Sequence, residues 1–230
     1  MRLPDIRSRV YGTDFGAATG RRVAQGLVHS GYRCTTVGAH HVPISGPVIV
    51  AANHPGAVDG AILIAISPRP LFTIAKSELF VPVVAQIFQF GGLIPVEYDQ
   101  PDRTAILRSL AILDRGGVIG IFPEAHRGRG EVDQVRTGVA YLALRSGAAV
   151  VPLALFGTRR TGDGKNSLPR IGNRLDSVFG KAFVPAPHNW HRRSELALAA
   201  EEIRARLAAH VRRATAETGR TLPTDEFDAD

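Results

Sequence analysis

Two short segments hold the residue types best suited to chemistry: Asn53-His54-Pro55-Gly56-Ala57-Val58-Asp59 and Phe122-Pro123-Glu124-Ala125-His126-Arg127-Gly128. The first places a histidine and a carboxylate at positions i and i+5. On a regular helix these two positions lie about 140° apart around the axis, so the side chains cannot meet if both are helical. The segment must turn. Gly56 permits a tight bend, and Pro55 pushes His54 away from α geometry. Asp59 is then left in the first turn of a following helix, able to curl back. An imidazole that donates one ring N–H to a carboxylate has its tautomer set and its other nitrogen free to act as a general base. The plainer reading is a histidine that caps or packs in a turn, with Asp59 as a partner of the helix dipole. The second segment follows a short buried-strand pattern, Gly117 to Phe122, and delivers Glu124, His126 and Arg127 to a loop. Ligands of open α/β sheets bind at such strand ends, so two polar strand ends together carry more weight than either alone. A surface ion pair between Glu124 and Arg127 is the alternative for this loop.

Those loops need elements to hold them. Apolar, partly β-branched runs predict strands over Val48–Ala52, Leu71–Ala75, Leu93–Glu97, Val118–Phe122 and Ala149–Leu155, with a later strand near Ser177–Val184 closing an edge. Helices fit Ala57–Ile66, Asp102–Asp114 and Thr137–Ser146, stopped by Gly116 and Gly147. A longer helix, Glu195–Thr215, sets Ala199, Ile203, Leu207 and Val211 at four-residue steps for packing on the core. Alternation of strand and helix in 230 residues, 44% of them hydrophobic, predicts one α/β domain with a real core. The expected divisions are a basic helical segment over 1–35, the main domain over 36–220 and a loose acidic tail over 221–230.

At the two loops the chain resembles the glycerolipid acyltransferase family that includes the 1-acyl-glycerol-3-phosphate acyltransferases. Asn53, His54 and Asp59 match the family's first block, and Phe122, Pro123, Glu124 and Arg127 match its third. Between them, Ala75-Lys76-Ser77-Glu78-Leu79-Phe80 looks like its lysine–glutamate–leucine stretch, and Gly91-Gly92-Leu93-Ile94-Pro95-Val96 looks like its second block. Val151-Pro152-Leu153-Ala154-Leu155 corresponds to the fourth. The likeness spans about Pro47 to Gly157. It implies a mixed, mostly parallel sheet flanked by helices, with His54 and Asp59 catalytic. It also implies substrate binding by Glu124, Arg127, Gly56 and Lys76. The second-block arginine expected to hold the acceptor's phosphate is replaced by Glu97-Tyr98, with Arg103 the nearest substitute. Ala125, His126 and Pro55-Gly56 also depart from the usual residues. The implied reaction moves a fatty acyl group from acyl-CoA or acyl carrier protein to the hydroxyl of a lysophospholipid, giving phosphatidic acid when the acceptor is 1-acyl-glycerol-3-phosphate. The thioester is a substrate, and no cofactor or metal is implied. With no G-x-S-x-G elbow, and Cys34 in a different segment from the histidine, direct transfer is simpler than a covalent acyl-enzyme.

The formal net charge of +7 and a pI near 10.3 suit an anionic partner, a bilayer or a nucleic acid. Arg2, Arg7, Arg9, Arg21, Arg22 and Arg33 stand among Ile6, Val10, Phe15, Val23, Leu27 and Val28 in a pattern that suits a membrane surface or a packed arm. Leu79 to Val96 contains no formal charge beyond Glu78 before it and Glu97 after it, but its Pro82, Gln86, Gln89, Gly91-Gly92 and Pro95 argue against a membrane span. Val83, Val84, Ile87, Phe88 and Phe90 are read as an acyl-chain groove, a lipid contact or plain core. Gly157 to Lys165, with Arg159 and Arg160, reads as a mobile basic loop for anionic headgroups or coenzyme A phosphates, or as a solvated one. His40-His41 lacks further ligands at metal-site spacing. With no apparent leader and one cysteine, the expectation is a peripheral protein on the cytoplasmic face of the cell membrane. The competing class is a lipid- or nucleic-acid-binding module that uses the arginines without catalysis. The low aromatic content, 7%, and the lack of a recognisable nucleic-acid motif weigh against nucleic acid.

Overall fold

The structure, a computed structural model, describes residues 13–97, 102–124 and 126–225, with 82–84 as backbone alone. Expectations for Arg2, Arg7, Arg9, Ile6, Val10, Tyr98, Ala125, residues 226–230 and the Val83 and Val84 side chains lie outside the described residues.

Helix α1 (Asp14–Gly31) leads into strand β1 (Arg33–Val37) and then β2 (Val48–Ala52). Next come α2 (Asp59–Ile66), β3 (Leu71–Lys76), α3 (Pro82–Phe90), β4 (Leu93–Val96), α4 (Arg103–Asp114) and β5 (Val118–Ile121). The chain closes with α5 (Gly138–Ser146), β6 (Ala149–Phe156), β7 (Arg174–Phe179) and α6 (Arg193–Thr218). The seven strands form one sheet in the order β1-β7-β6-β2-β5-β3-β4. All pairings are parallel except β6 with β7, so β7 and β1 run opposite to the other five. In consequence the C-terminal ends of β2, β5, β3 and β6 share one edge of the sheet.

Every residue of β2 is buried, which is why the strand reads as a continuous apolar run rather than an alternating one. Its two faces feed different cores. Ile49 and Ala51 pack with α4, α5 and α6 through Ile112, Leu142 and Ile203. Val48, Val50 and Ala52 pack with α2 through Ile62 and Leu63. Ala199, Ile203, Leu207 and Val211 of α6 are all buried, as their spacing requires. Asp102 caps α4 by accepting the Ala105 N–H at 2.9 Å, and Thr13 caps α1 through Gly16.

Several expectations need correcting. The late strand starts earlier than Ser177–Val184 and lies second from the edge, between β6 and β1. The edge itself is β1, a polar, largely exposed strand with no apolar alternation to announce it; parallel pairing with β7 alone makes it a strand. The division at 35/36 falls inside β1, and α1 packs on the domain through the buried Ala17 and Val28. Gly16 and Gly20 let α1 approach the end of α3 closely: a Cβ at Gly16 would sit 2.3 Å from the Phe90 carbonyl oxygen, and one at Gly20 2.5 Å from that of Gly91. The start of the expected loose tail is anchored: Pro223 is buried and Asp225 pairs with Arg159 at 2.9 Å. A plain core role does not suit Ile87 and Phe90, which are 65% and 47% exposed.

Candidate active site

The end of β2 is fastened before it reaches the chemistry. Asn53 is fully buried, and its side-chain amide clasps the main chain of Leu155 on β6, accepting the N–H at 2.7 Å and donating to the carbonyl at 3.3 Å. Its amide nitrogen also donates to the Gly130 carbonyl at 3.2 Å, which ties β2 to the second loop. Only a carboxamide supplies both a donor and an acceptor at that spacing. Asn53→Ala strands these buried groups, and the expected loss of stability is about 3 kcal/mol, read as a lower urea midpoint at unchanged slope. An unchanged midpoint would show that the clasp contributes nothing.

His54 follows at the edge of the sheet. Its Nδ1 donates to Asp59 Oδ2 at 2.8 Å, with the imidazole side chain 17% exposed and the carboxylate fully buried. A carboxylate only accepts, so Nδ1 carries the proton and Nε2 is the basic nitrogen. Nε2 has no protein partner among the described residues. The ring stacks on Phe122, the residue after β5, with centroids 4.2 Å apart. The second loop grips the main chain of His54 on both sides: Glu124 Oε1 accepts its N–H at 2.9 Å, and Gly128 N–H donates to its carbonyl at 3.1 Å. The imidazole is therefore fixed by ring, side chain and backbone at once, which is the pre-organisation a general base needs.

Asp59 opens α2, where the helix dipole favours a negative charge. Its Oδ2 also accepts the Gly56 N–H at 2.8 Å, closing the turn that the His-to-Asp spacing demanded. Gly56, expected at the substrate, gives its amide to Asp59. A Cβ at Gly56 would sit 2.7 Å from the Thr158 carbonyl oxygen, so glycine is required there by the close approach of two main chains.

Glu124 and Arg127 do not form the ion pair that their proximity in sequence suggested. Besides holding His54, Glu124 accepts the Val132 N–H, and burial pushes its carboxyl up to about 7 despite those two donors, with the charges of Asp59 and Asp133 adding to the rise. Val132 is buried at φ 63°, a backbone conformation costly for a β-branched residue, where its N–H can reach Glu124. Arg127 reaches the other way, donating to the Lys165 carbonyl at 3.0 Å and to the Asn166 side chain. Lys76 is exposed at the end of β3, two strands from β2, and Arg103 is exposed at the first turn of α4.

The raised Glu124 carboxyl makes stability depend on pH. Between about pH 4.5 and 7 the native state keeps a proton that the unfolded chain has released, so stability falls as pH rises. The loss reaches about 3 kcal/mol above pH 7. Glu124→Gln keeps an acceptor for the His54 N–H but carries no charge, and urea titrations from pH 4 to 8 should lose this slope. Parallel curves for the two proteins would remove Glu124 as its source.

Arg159 escaped the reading of its loop as mobile and basic. Its side chain is fully buried, with Nε on the Pro55 carbonyl at 3.0 Å and Nη2 on the Gly128 carbonyl at 3.2 Å. Nη1 binds both oxygens of the Asp225 carboxylate at 2.9 Å. One guanidinium thus joins the loops that carry His54 and Glu124. Nothing in the local sequence marks it, because Arg160 beside it is exposed and its acidic partner lies 66 positions on.

A family model described as Acyltransferase matches residues 33–156. The 1-acyl-sn-glycerol-3-phosphate acyltransferase of Borreliella burgdorferi is 29% identical over 133 residues, covering 56% of this chain and 53% of its own. That of Bacillus subtilis is 28% identical over 119 residues, covering 51% and 59%. The chain therefore spans little more than half the length of these relatives. Among solved structures, the 1-acyl-sn-glycerophosphate acyltransferase PlsC of Thermotoga maritima superposes with a TM-score of 0.59 at 18% identity, over 86% of this chain and 78% of that one, a likeness of fold. With more than half of its residues under that family model, and the histidine, carboxylate and glutamate of the matched segment gathered at one sheet edge, the chain belongs to the acyltransferase family.

Proposed function

We propose that the protein is an O-acyltransferase that moves a fatty acyl group from an acyl thioester, coenzyme A or acyl carrier protein, to the hydroxyl of a lysophospholipid, with 1-acyl-glycerol-3-phosphate as first candidate. The observation that carries this reading is the 2.8 Å bond between His54 Nδ1 and buried Asp59, which leaves Nε2 as a positioned base. In the proposed reaction Nε2 takes the proton of the acceptor hydroxyl as its oxygen attacks the thioester carbonyl carbon. Asp59 holds the ring and stabilises the imidazolium. Collapse of the tetrahedral intermediate breaks the C–S bond, and the departing thiolate takes the proton back from the imidazolium, so an ester and a free thiol leave and the enzyme is unchanged.

An acceptor without a terminal phosphate monoester, another lysophospholipid or a glycolipid, is the second reading. It is favoured by the exposed Glu97 at the end of β4, where a carboxylate repels phosphate. The site is also proposed to work at the cytoplasmic face of a membrane, as a peripheral protein. Phe15, Val23 and Leu27 on α1 are 73%, 57% and 69% exposed, Phe15 meets Phe90 edge to face, and Ile87 is exposed near them on α3. No helix among the described residues is long and apolar enough to cross a membrane.

The deciding experiment incubates the purified protein with labelled acyl-CoA and a panel of lyso-lipids, followed by mass spectrometry of the products. Phosphatidic acid from 1-acyl-glycerol-3-phosphate is the expected product. A different ester product selects the second acceptor class, and absence of any new ester rejects acyl transfer.

A further inference from the structure

Beside the His54 turn, at the same edge of the sheet, lies a cavity of about 340 Å³ that shares only Arg159 with the site described above. It forms because β7 runs antiparallel to β6, which sets the start of β7 next to the end of β6, and the segment after α6 closes over both. Arg159, Arg160, Arg174 and Arg220 line it, with Leu222 and Pro223 as an apolar wall.

The arrangement of these arginines is specific. Arg174 and Arg220 both turn their Nε to the buried carboxylate of Asp176, one to each oxygen. That leaves the paired terminal nitrogens of both guanidinium groups without a protein partner among the described residues. Two N–H groups side by side are the edge with which arginine grips phosphate oxygens. Arg160 Nη2 is bonded only to the neutral side chain of Asn173, while Asp163 accepts its main-chain N–H, and Asp225 is held by Arg159. The guanidinium groups of Arg160, Arg174 and Arg220 are thus set against one carboxylate, Asp176, with Asp163 at the margin and Asp225 paired with the enclosed Arg159, and the cavity keeps a positive field.

We propose that this cavity is a phosphate-ester subsite for the nucleotide end of a coenzyme A thioester, gripped by Arg160, Arg174 and Arg220 with the base against Leu222 and Pro223. The proposal deepens the acyl-transfer reading and rests on it for the identity of the ligand. Placement separates donor from acceptor. An acceptor phosphate lies only a few bonds from the attacking hydroxyl and must sit close to His54. The nucleotide of coenzyme A is held away from its thioester by a long flexible arm, so it needs a site off the catalytic turn but on the same edge. The cavity meets that need, because the buried Arg159 stands between it and the Pro55 carbonyl beside His54. Its volume falls at the lower end of the range for small-molecule sites and is far larger than a phosphate requires.

The test uses the full chain, with 3′,5′-ADP as the probe in titration calorimetry. Binding should weaken at least about tenfold in both Arg160→Glu and Arg174→Ala, and inorganic phosphate should compete far more weakly than the nucleotide. In acyl transfer, Arg160→Glu should raise the KM for acyl-CoA about tenfold, leave kcat and the acceptor KM within twofold, and leave turnover of an acyl-pantetheine donor unchanged. The subsite is overturned if the unaltered protein does not bind 3′,5′-ADP or if neither substitution weakens binding. It is likewise overturned if inorganic phosphate competes as well as the nucleotide, or if the acceptor KM rises in place of that for acyl-CoA. Arginine-dependent binding of 3′,5′-ADP by a protein that esterifies no lyso-lipid would uphold the subsite and reject the acyl-transfer reading.

Discussion

His54→Asn is expected to lower kcat by about 10³- to 10⁴-fold while the protein stays folded, with the KM for each substrate moving only a few-fold. The asparagine comparison matters because the alanine variant changes two things at once. Asp59 is fully buried, its Oδ1 has no hydrogen bond among the described residues, and its Oδ2 is shared between the imidazole and the Gly56 N–H. Removing the ring leaves that buried carboxylate with Gly56 alone and strips the stacking face of Phe122. His54→Ala should therefore lose both turnover and about 1–3 kcal/mol of stability. Asparagine offers Asp59 an N–H but has no basic nitrogen to receive a proton, so it isolates the chemical loss. Turnover near that of the unaltered protein in either variant would dismiss the general base, whatever the stability result. Asp59→Asn should fall between the two, since it keeps the shape of the turn but weakens the charge that stabilises the imidazolium.

Arg159→Ala is expected to be the most destabilising single change outside the hydrophobic core. The side chain is completely enclosed, and its loss would leave the carbonyls of Pro55, Gly128 and Asp163 without this donor and the Asp225 carboxylate with only the Gly162 N–H and no cation. A loss of about 3–5 kcal/mol is typical when one member of a buried, multiply bonded charged group is removed. Denaturant titration should show it as a large fall in midpoint. Because Arg159 holds the loops of His54 and Glu124 together, kcat should also fall under conditions where the variant is still folded. Arg159→Lys should recover little of either quantity, since an ammonium cannot reach the Pro55 and Gly128 carbonyls and both Asp225 oxygens with one planar fork. Stability within about 0.5 kcal/mol of the unaltered protein would mean that the two loops are fastened by other contacts.

What could be read from the chain alone was what depends on neighbours in sequence. Val48–Ala52 is legible as a strand because a short apolar run between a glycine turn and a polar segment has few other uses, and β2 has those bounds. The four-residue steps of Ala199, Ile203, Leu207 and Val211 foretell a buried helical stripe for the same reason. The bond between His54 and Asp59 follows from a local turn five residues long, so Pro55 and Gly56 largely dictate it.

Tertiary structure decided the rest. Arg33–Val37 has no apolar rhythm and becomes a strand only because β7 presents a free edge to it. Glu124 reads as a surface acid until the fold sets it against the His54 backbone and excludes water from its carboxyl. Arg159 and Asp225, and the arginines that turn their Nε to Asp176, come together across tens of residues of intervening chain. The physical division is one of range. Steric limits and side-chain periodicity act over a few residues and are written into composition and spacing. Burial, hydrogen-bond satisfaction and charge pairing depend on which distant segments the packed sheet brings within about 3 Å of one another, and no local pattern encodes that.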